Sequence, residues 1–187
     1  MKYLLLLAGL MISNLGIQAQ TAKNINVASS NVNWKAAKVT GNHEGNVKFK
    51  SGSLTFNGDV LTGGELVVDA TTIEVVDLQG KGKASLEKHL KSDDFFGVTN
   101  HPTATINFTK VTSRGVAGEY KVTANITIKN ITKEIKFNAS VKNGTGTATI
   151  RLDRSDFDIR YGSGSFIDNL GDKTIYDDFD LNVTVTF

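Results

Sequence analysis

Three histidines are the side chains with the widest chemical range in this sequence. His43, His89 and His101 are its only histidines, and no pair is spaced as H-x-H, H-x₃-H or HExxH. Such spacings put two imidazoles on one face of a strand or helix, where they can share a metal ion. We therefore predict no metal site. His43 lies between Gly41 and Gly45, which fits either a polar group at a pocket mouth or an exposed turn residue.

Neighbouring carboxylates are the second group with catalytic potential, since glycosidases use two of them as acid and base. Asp93-Asp94 and Asp177-Asp178 are adjacent pairs, however, and adjacent residues of a strand face opposite ways. The charged run 153–158 is consistent with a functional cluster or with a structural ion-pair network at a strand end. The serines of 162–165 (GSGS) lack the G-x-S-x-G pattern of a nucleophile elbow. These observations predict that the protein is not an enzyme.

Composition excludes several further classes of protein. The 187 residues include 21 Lys and Arg, 19 Asp and Glu, one Pro and no Cys. A net charge of +2 gives no electrostatic case for binding nucleic acid. The lack of cysteine excludes disulfides, Cys-ligated metal centres and thiol nucleophiles. A chain of this length can bury a sizeable core as one domain.

Residues 1–19 have the pattern of a secretory signal peptide. Lys2 supplies a positive charge, residues 3–12 (YLLLLAGLMI) form an apolar stretch, and Ala19 is the small residue expected before a cleavage site. The apolar stretch is too short to cross a bilayer. We predict cleavage after Ala19, a mature domain of residues 20–187, and a periplasmic or secreted location, two fates that the signal peptide does not distinguish.

The elements that must position these side chains are strands. Most of the mature chain alternates between apolar and polar residues in runs of five to nine, for example at 120–128 and 179–187. Asn57-Gly58 and Asn143-Gly144 are typical of hairpin turns. About eight such strands in a meander would close into a barrel. Alternation on one face fits a sandwich equally well, so the pattern alone does not choose between the two.

Two segments break the alternation. Residues 83–91 (KASLEKHLK) place three apolar side chains near one side of a short helix, and residues 165–170 fit a second helical turn. Phe95 and Phe96 follow the first of these segments. Two adjacent bulky rings require burial. They are therefore predicted either to plug one end of the fold or to form part of a mobile mouth.

Five short strings stand out along residues 25–187. They are TGNHEG at 40–45, EKHLKSDDFF at 87–96, HPTATINF at 101–108, NITIKNITK at 125–133 and LDRSDF at 152–157. Each string alone is a weak signal. Together, in this order and spacing, they resemble the motifs of the YceI-like family of exported lipid-binding barrels.

The resemblance implies an all-β fold: an antiparallel lipocalin-like β-barrel of about eight strands with one or two short helices. It implies an apolar tunnel that holds a long-chain ligand, such as an isoprenoid, a quinone or a fatty acid or amide, for transport or storage. It implies no cofactor. The family's Arg and Asp before the H-L pair are Leu86 and Glu87 here. Because a positive group suited to a phosphate is missing there, this departure favours an uncharged or amphiphilic head.

The candidate site follows from the inward positions of the predicted strands. The predicted tunnel-lining residues are Trp34, Phe49, Phe56, Leu66, Val68, Ile106, Phe108, Ile126, Phe137 and Phe157. The predicted mouth residues are His43, His89, Phe95 and Phe96. Two other functions remain as alternatives: a stress-related interaction module whose barrel is filled by its own side chains, and a lipid hydrolase. A homodimer is also left open.

Overall fold

The computed structural model describes residues 19–187, so the predicted signal peptide before Ala19 lies outside the described residues. The elements in chain order are β1 Gln20–Asn24, β2 Asn31–Lys38, β3 Gly41–Asn57, β4 Val60–Val75, α1 Gly80–Lys91, β5 Thr103–Ser113, β6 Glu119–Ile128, β7 Ile131–Lys142, β8 Thr145–Asp153 and β9 Ile175–Thr186. Short 3₁₀ turns lie at Arg154–Phe157 and Gly171–Lys173. No helix within residues 19–187 is long and apolar enough to cross a membrane.

The strands form one closed antiparallel barrel with eight strand positions. β2 to β9 pair in chain order, and the pairing of β2 with β9 closes the ring. β1 and β2 follow one another along the same edge of β3, where Asn24 pairs with Ser53 and Val32 pairs with Val47. The two therefore act as one strand that is interrupted at residues 25–30. This closure confirms the predicted barrel, whereas a sandwich would have left open edges.

β3 and β4 are longer than the predicted five to nine residues, with 17 and 16 residues respectively. In each of these two strands, alternating runs that look separate in the sequence are joined into one continuous strand. β4 does so through a bulge at residues 70–73, because Lys48 pairs with Asp69 and the pairing with β3 resumes only at Glu74. The Thr72 hydroxyl accepts a hydrogen bond from Lys48 N at 2.9 Å and so compensates for the interrupted ladder.

Alternate residues of the strands point into the barrel, as the period-two pattern predicts. On β6 the buried residues are Tyr120, Val122, Ala124, Ile126 and Ile128, and the residues between them are more exposed. The buried apolar side chains of all the long strands belong to one continuous core. The interior of the barrel is therefore mainly apolar.

α1 lies against β4 at one end of the barrel, which we call the α1 end. The helix begins at Gly80 rather than at the predicted Lys83 and ends at Lys91 as predicted. Leu90 is its buried residue. The Glu87 carboxylate accepts a hydrogen bond from Val75 N at 2.9 Å, which ties the helix to the last residue of β4.

Residues 165–170, predicted as a second helical turn, do not form a helix. Ile167 N donates to Ser163 O at 3.0 Å, which is the spacing of one helical turn, but this turn begins earlier than predicted and does not continue. Gly162 and Asn169 have positive φ angles of 63° and 59°, which break a helical path on both sides. The two 3₁₀ turns of the fold lie before and after this segment.

Candidate functional site

The barrel encloses an apolar cavity of about 200 Å³. It extends from Leu90 and Phe95 at the α1 end to Leu61 and Val185 near the opposite end. On the same measure one buried water molecule needs about 10–15 Å³, so this space is far larger than a packing defect. Most of its wall consists of aliphatic and aromatic side chains. The cavity is suited to a long, narrow, apolar molecule.

Eight of the ten residues predicted to line a tunnel lie in the wall of this cavity. They are Trp34, Phe49, Leu66, Val68, Ile106, Phe108, Ile126 and Phe137. The rings of Phe108 and Phe137 meet edge to face, with their centroids 5.9 Å apart. The geometry places these side chains where a ligand would lie, and their contact with a ligand stays a prediction.

Phe56 and Phe157 lie outside the cavity wall. Phe56 is 3% exposed and packs against Phe187, with the ring centroids 5.2 Å apart. Phe157 is 1% exposed and belongs to the 3₁₀ turn that follows β8. The apolar pattern marks both residues as buried, but it does not distinguish packing beside the cavity from lining it.

Sequence reasoning missed part of the wall on β8 and β9. Ala148 and Ile150 on β8 line the cavity, as do Leu181, Val183 and Val185 on β9. Alternation had identified both runs as strands. Every second side chain of a barrel strand faces inward. Assigning the apolar positions of these two strands to the inward face would therefore have found the five residues.

Phe95 and Phe96 line the α1 end of the cavity. Phe95 is 7% exposed and belongs to a cluster of rings in which the centroids of His89 and Tyr161 lie 5.0 and 6.0 Å from its own. The guanidinium carbon of Arg154 lies 5.7 Å from the Phe95 centroid. Phe95 therefore has the burial that its predicted role as a plug requires.

Arg154 is the buried charged residue at this end, with a side chain that is 4% exposed. Its guanidinium donates hydrogen bonds of 2.8 to 3.2 Å to the backbone carbonyls of Ile159, Tyr161, Ile175 and Tyr176. Ile159 and Tyr161 come shortly after the first 3₁₀ turn, and Ile175 and Tyr176 are the first two residues of β9. One side chain therefore fastens both ends of the segment between the first 3₁₀ turn and β9 over the α1 end of the barrel.

Asp177 is the ion-pair partner of Arg154, with Nη2 and Oδ1 3.1 Å apart. That contact is not aligned as a hydrogen bond, so Oδ1 has no hydrogen-bond donor. Oδ2 accepts hydrogen bonds from Ser163 Oγ at 2.9 Å and Ser165 Oγ at 2.6 Å. Burial lowers the pKa of Arg154, and the Asp177 carboxylate opposes this. The geometry favours the interpretation of the charged run 153–158 as a structural ion-pair network. The partner of Arg154 in this network, Asp177, lies outside the run.

His43 lies outside the cavity wall. Its Nδ1 is 2.8 Å from Asp77 Oδ2, and Asp77 Oδ1 accepts a hydrogen bond from Glu44 N at 3.2 Å. Burial acts to raise the pKa of Asp77, but the hydrogen bonds from His43 and Glu44 N outweigh it and hold this pKa below its usual value. His43 thus links β3 to the chain that leaves β4.

The arrangement offers little for catalysis in the described part of the chain. Within residues 19–187, no hydrogen bond joins a histidine ring to a serine hydroxyl, and no three metal-ligating side chains converge. Ser163 is fully buried and donates to Asp177, which is a structural contact. What the geometry does provide is an enclosed apolar space.

Comparison with known proteins relates this chain to one family. The model of the YceI-like domain matches residues 24–187. A UPF0312 protein of Vibrio parahaemolyticus is 31% identical over 155 residues, which cover 75% of this chain and 78% of that protein. A UPF0312 protein of Pseudomonas aeruginosa is 29% identical over 125 residues, which cover 60% of this chain and 61% of that protein.

Solved structures share the barrel fold at low sequence identity. BcnA of Burkholderia cenocepacia has a TM-score of 0.69 and 18% identity, covering 87% of this chain and 99% of that one. A polyisoprenoid binding domain from Saccharophagus degradans has a TM-score of 0.58 and 14% identity, covering 87% of this chain and 95% of that one. The YCEI protein of Campylobacter jejuni has a TM-score of 0.54 and 18% identity, covering 100% and 98%.

Proposed function

Because this chain belongs to the YceI-like family, we propose that it is an exported carrier that holds one long-chain apolar molecule inside its barrel. The ligand classes are those that suit a narrow apolar cavity: an isoprenoid, a quinone with its tail, or a fatty acid or amide. A structural neighbour is named a polyisoprenoid binding domain, which supports this choice.

The cavity of about 200 Å³ is the observation that carries the proposal. A core filled by its own side chains would leave few voids larger than a water molecule. Each methylene group transferred from water into such a space contributes about 0.8 kcal/mol. A long chain can therefore offset the association cost of about 4–15 kcal/mol without any specific polar contact.

The proposed role is binding without a reaction. Phe108 and Phe137 stand in the middle of the wall and offer only apolar contact. Arg154, the charged side chain most deeply buried there, has its donors committed to backbone carbonyls. A bound molecule would leave the cavity chemically unchanged.

Export belongs to the proposal and rests on the sequence of residues 1–19. The expected product is a chain that begins at Gln20 and is recovered from the periplasm or the medium. Mass spectrometry of the protein from fractionated cells measures its N-terminus. Recovery of the full-length chain from the cytoplasm alone would contradict export.

The test of ligand binding is to purify the protein under native conditions and to compare native and denaturing mass spectra. The expected native spectrum shows one additional mass per barrel, and solvent extraction releases a long-chain lipid. The same spectrum reports the oligomeric state, for which the homodimer stays a prediction. Repeated preparations without lipid that also fail to take up a fluorescent fatty probe would overturn the carrier and leave the filled-barrel alternative.

A further inference from the structure

The apolar wall of the cavity contains a hydrogen-bond donor without a partner. Trp34 lines the cavity and is 8% exposed, and its indole Nε1 is buried without a hydrogen-bond acceptor among residues 19–187. An indole N–H only donates. A buried donor of this kind is costly unless something satisfies it. Because Trp34 lines the cavity, a ligand in the cavity is the candidate acceptor.

The position of Trp34 along the barrel is set by its neighbours. It pairs with Gly45 of β3, and Gly45 in turn pairs with Val75, the last residue of β4. Trp34 is therefore level with the end of β4 from which the chain continues into α1. The opposite end of the cavity is lined mainly by aliphatic side chains, including Leu54, Leu61 and Val185.

Two cationic side chains also line the wall. Arg154 donates to four backbone carbonyls, and the Lys129 ammonium donates to Asp158 O at 3.4 Å. His101 also lines the cavity and its Nδ1 is buried without a partner. The His101 ring donates or accepts a hydrogen bond according to its tautomer. It therefore adds a polar group near the start of β5 but does not favour ligands that accept a hydrogen bond over ligands that donate one.

We propose that Trp34 Nε1 is the head-group site of the cavity and binds an uncharged acceptor oxygen of the ligand, such as a ketone, ester, amide or quinone carbonyl. The tail then runs away from the α1 end toward the opposite, mainly aliphatic end. This inference rests on the proposed carrier function and specifies its ligand class. A charged head is disfavoured at Trp34, because one neutral N–H donor does not offset the desolvation of a buried charge.

The experiment uses two probes, a straight-chain alkane and the methyl ketone of the same chain length. Affinities are measured by displacement of one fluorescent fatty probe from wild type, Trp34→Phe and Phe49→Leu. The ratio of the two affinities is compared between proteins, so that the different water solubilities of the probes cancel. Phe49 lines the same cavity and carries no polar atom, which makes Phe49→Leu the matched control.

The expected result is that Trp34→Phe lowers the preference for the ketone by about tenfold, the usual scale of one buried hydrogen bond. Phe49→Leu should weaken both probes and leave their ratio unchanged. Trp34 is the only tryptophan of the chain, so a ¹⁵N-labelled sample gives a single indole N–H signal. That signal should shift downfield with the ketone and much less with the alkane.

The outcomes separate the two levels of the proposal. If both probes bind wild type but the ratio is the same in Trp34→Phe, the head-group site is overturned and the carrier function stands. If neither probe binds, the carrier function fails and the head-group site with it. If Trp34→Phe does not fold, the indole signal of the wild type decides, because an equal response to the two probes overturns the site.

Discussion

The indole ring of Trp34 lies directly over Gly45, its partner on the adjacent strand. A Cβ built on Gly45 would be 2.5 Å from ring atom Cζ2 and 2.6 Å from Cε2, which is closer than real carbon atoms approach. The absence of a side chain at residue 45 therefore allows the ring to approach the β3 backbone closely. The only tryptophan of the chain takes its place in the cavity wall from this contact.

Gly45→Ala should displace the Trp34 ring and destabilise the barrel. The added methyl group collides with the ring and with the backbone at Glu74, so we expect a loss of about 1–3 kcal/mol in the free energy of unfolding. Urea unfolding followed by tryptophan fluorescence measures it. Gly63→Ala is the control, since its Cβ would meet Thr55 at an ordinary 3.6 Å and should leave stability nearly unchanged. Equal stability of the two variants would contradict the contact.

Arg154→Met should destabilise the protein strongly. It leaves four backbone carbonyls without their donor and the Asp177 carboxylate without its ion-pair partner, and breaking such a buried pair costs about 3–5 kcal/mol. Urea unfolding measures the change, and limited proteolysis should cut first within residues 159–175. Arg151→Met is the matched control, because the Arg151–Asp180 pair lies on the exposed surface. An equally small effect of both substitutions would mean that Arg154 does not fasten this segment.

Asp77→Asn should reduce the loss of stability in acid. The pKa of Asp77 is held below its usual value in the folded protein, so its carboxylate stabilises the fold at pH values above its unfolded pKa of about 3.9. That contribution disappears as the pH falls through the lower, folded pKa. The variant should be less stable than wild type at pH 7 and should approach it below about pH 4. Melting temperatures across this range test it, with the exposed Asp59→Asn as the control.

Ala148→Phe should block the cavity without unfolding the barrel. Ala148 faces inward on β8, and a ring in its place would occupy space that a ligand chain needs. Uptake of a fluorescent fatty probe should weaken by about tenfold or more, which corresponds to about 1.4 kcal/mol. The neighbouring Thr149→Phe places the same ring on the exposed face and should bind normally. Normal binding by Ala148→Phe would place the ligand outside this cavity.

Several elements could be predicted because their information is local. The helix predicted at residues 83–91 and found at Gly80–Lys91, the Asn143-Gly144 turn and the inward parity of β6 all follow from residue types within a few positions. The length of β4 could not be predicted, because its bulge at residues 70–73 depends on which residues of β3 lie opposite. Sequence identified buried residues correctly at Phe56 and Phe157, but not the surface against which each one packs.

The hydrogen-bond and ion-pair partners of polar side chains could not be predicted from the sequence either. The charged run 153–158 is consistent with an ion-pair network at a strand end, but the run does not reveal that the partner of Arg154 is Asp177, which a turn of the chain brings to it. His43 was one of the predicted mouth residues, yet it binds Asp77 away from the cavity wall. Contacts between residues far apart in sequence depend on the register of strands that only closure of the barrel defines.

Alternation, hairpin signals and the order of five motifs were enough to determine an antiparallel barrel of about eight strands and most of its inward-facing residues. Each of these is a periodic or short-range property, which a linear sequence records directly. The tertiary structure alone decided that the interior holds a cavity, that Arg154 and Asp177 hold the segment at its α1 end, and that Trp34 Nε1 has no acceptor among residues 19–187. The cavity depends on how much volume the side chains of eight strands fill together, and the other two facts depend on which distant residues the closed barrel brings into contact. No single strand carries that information.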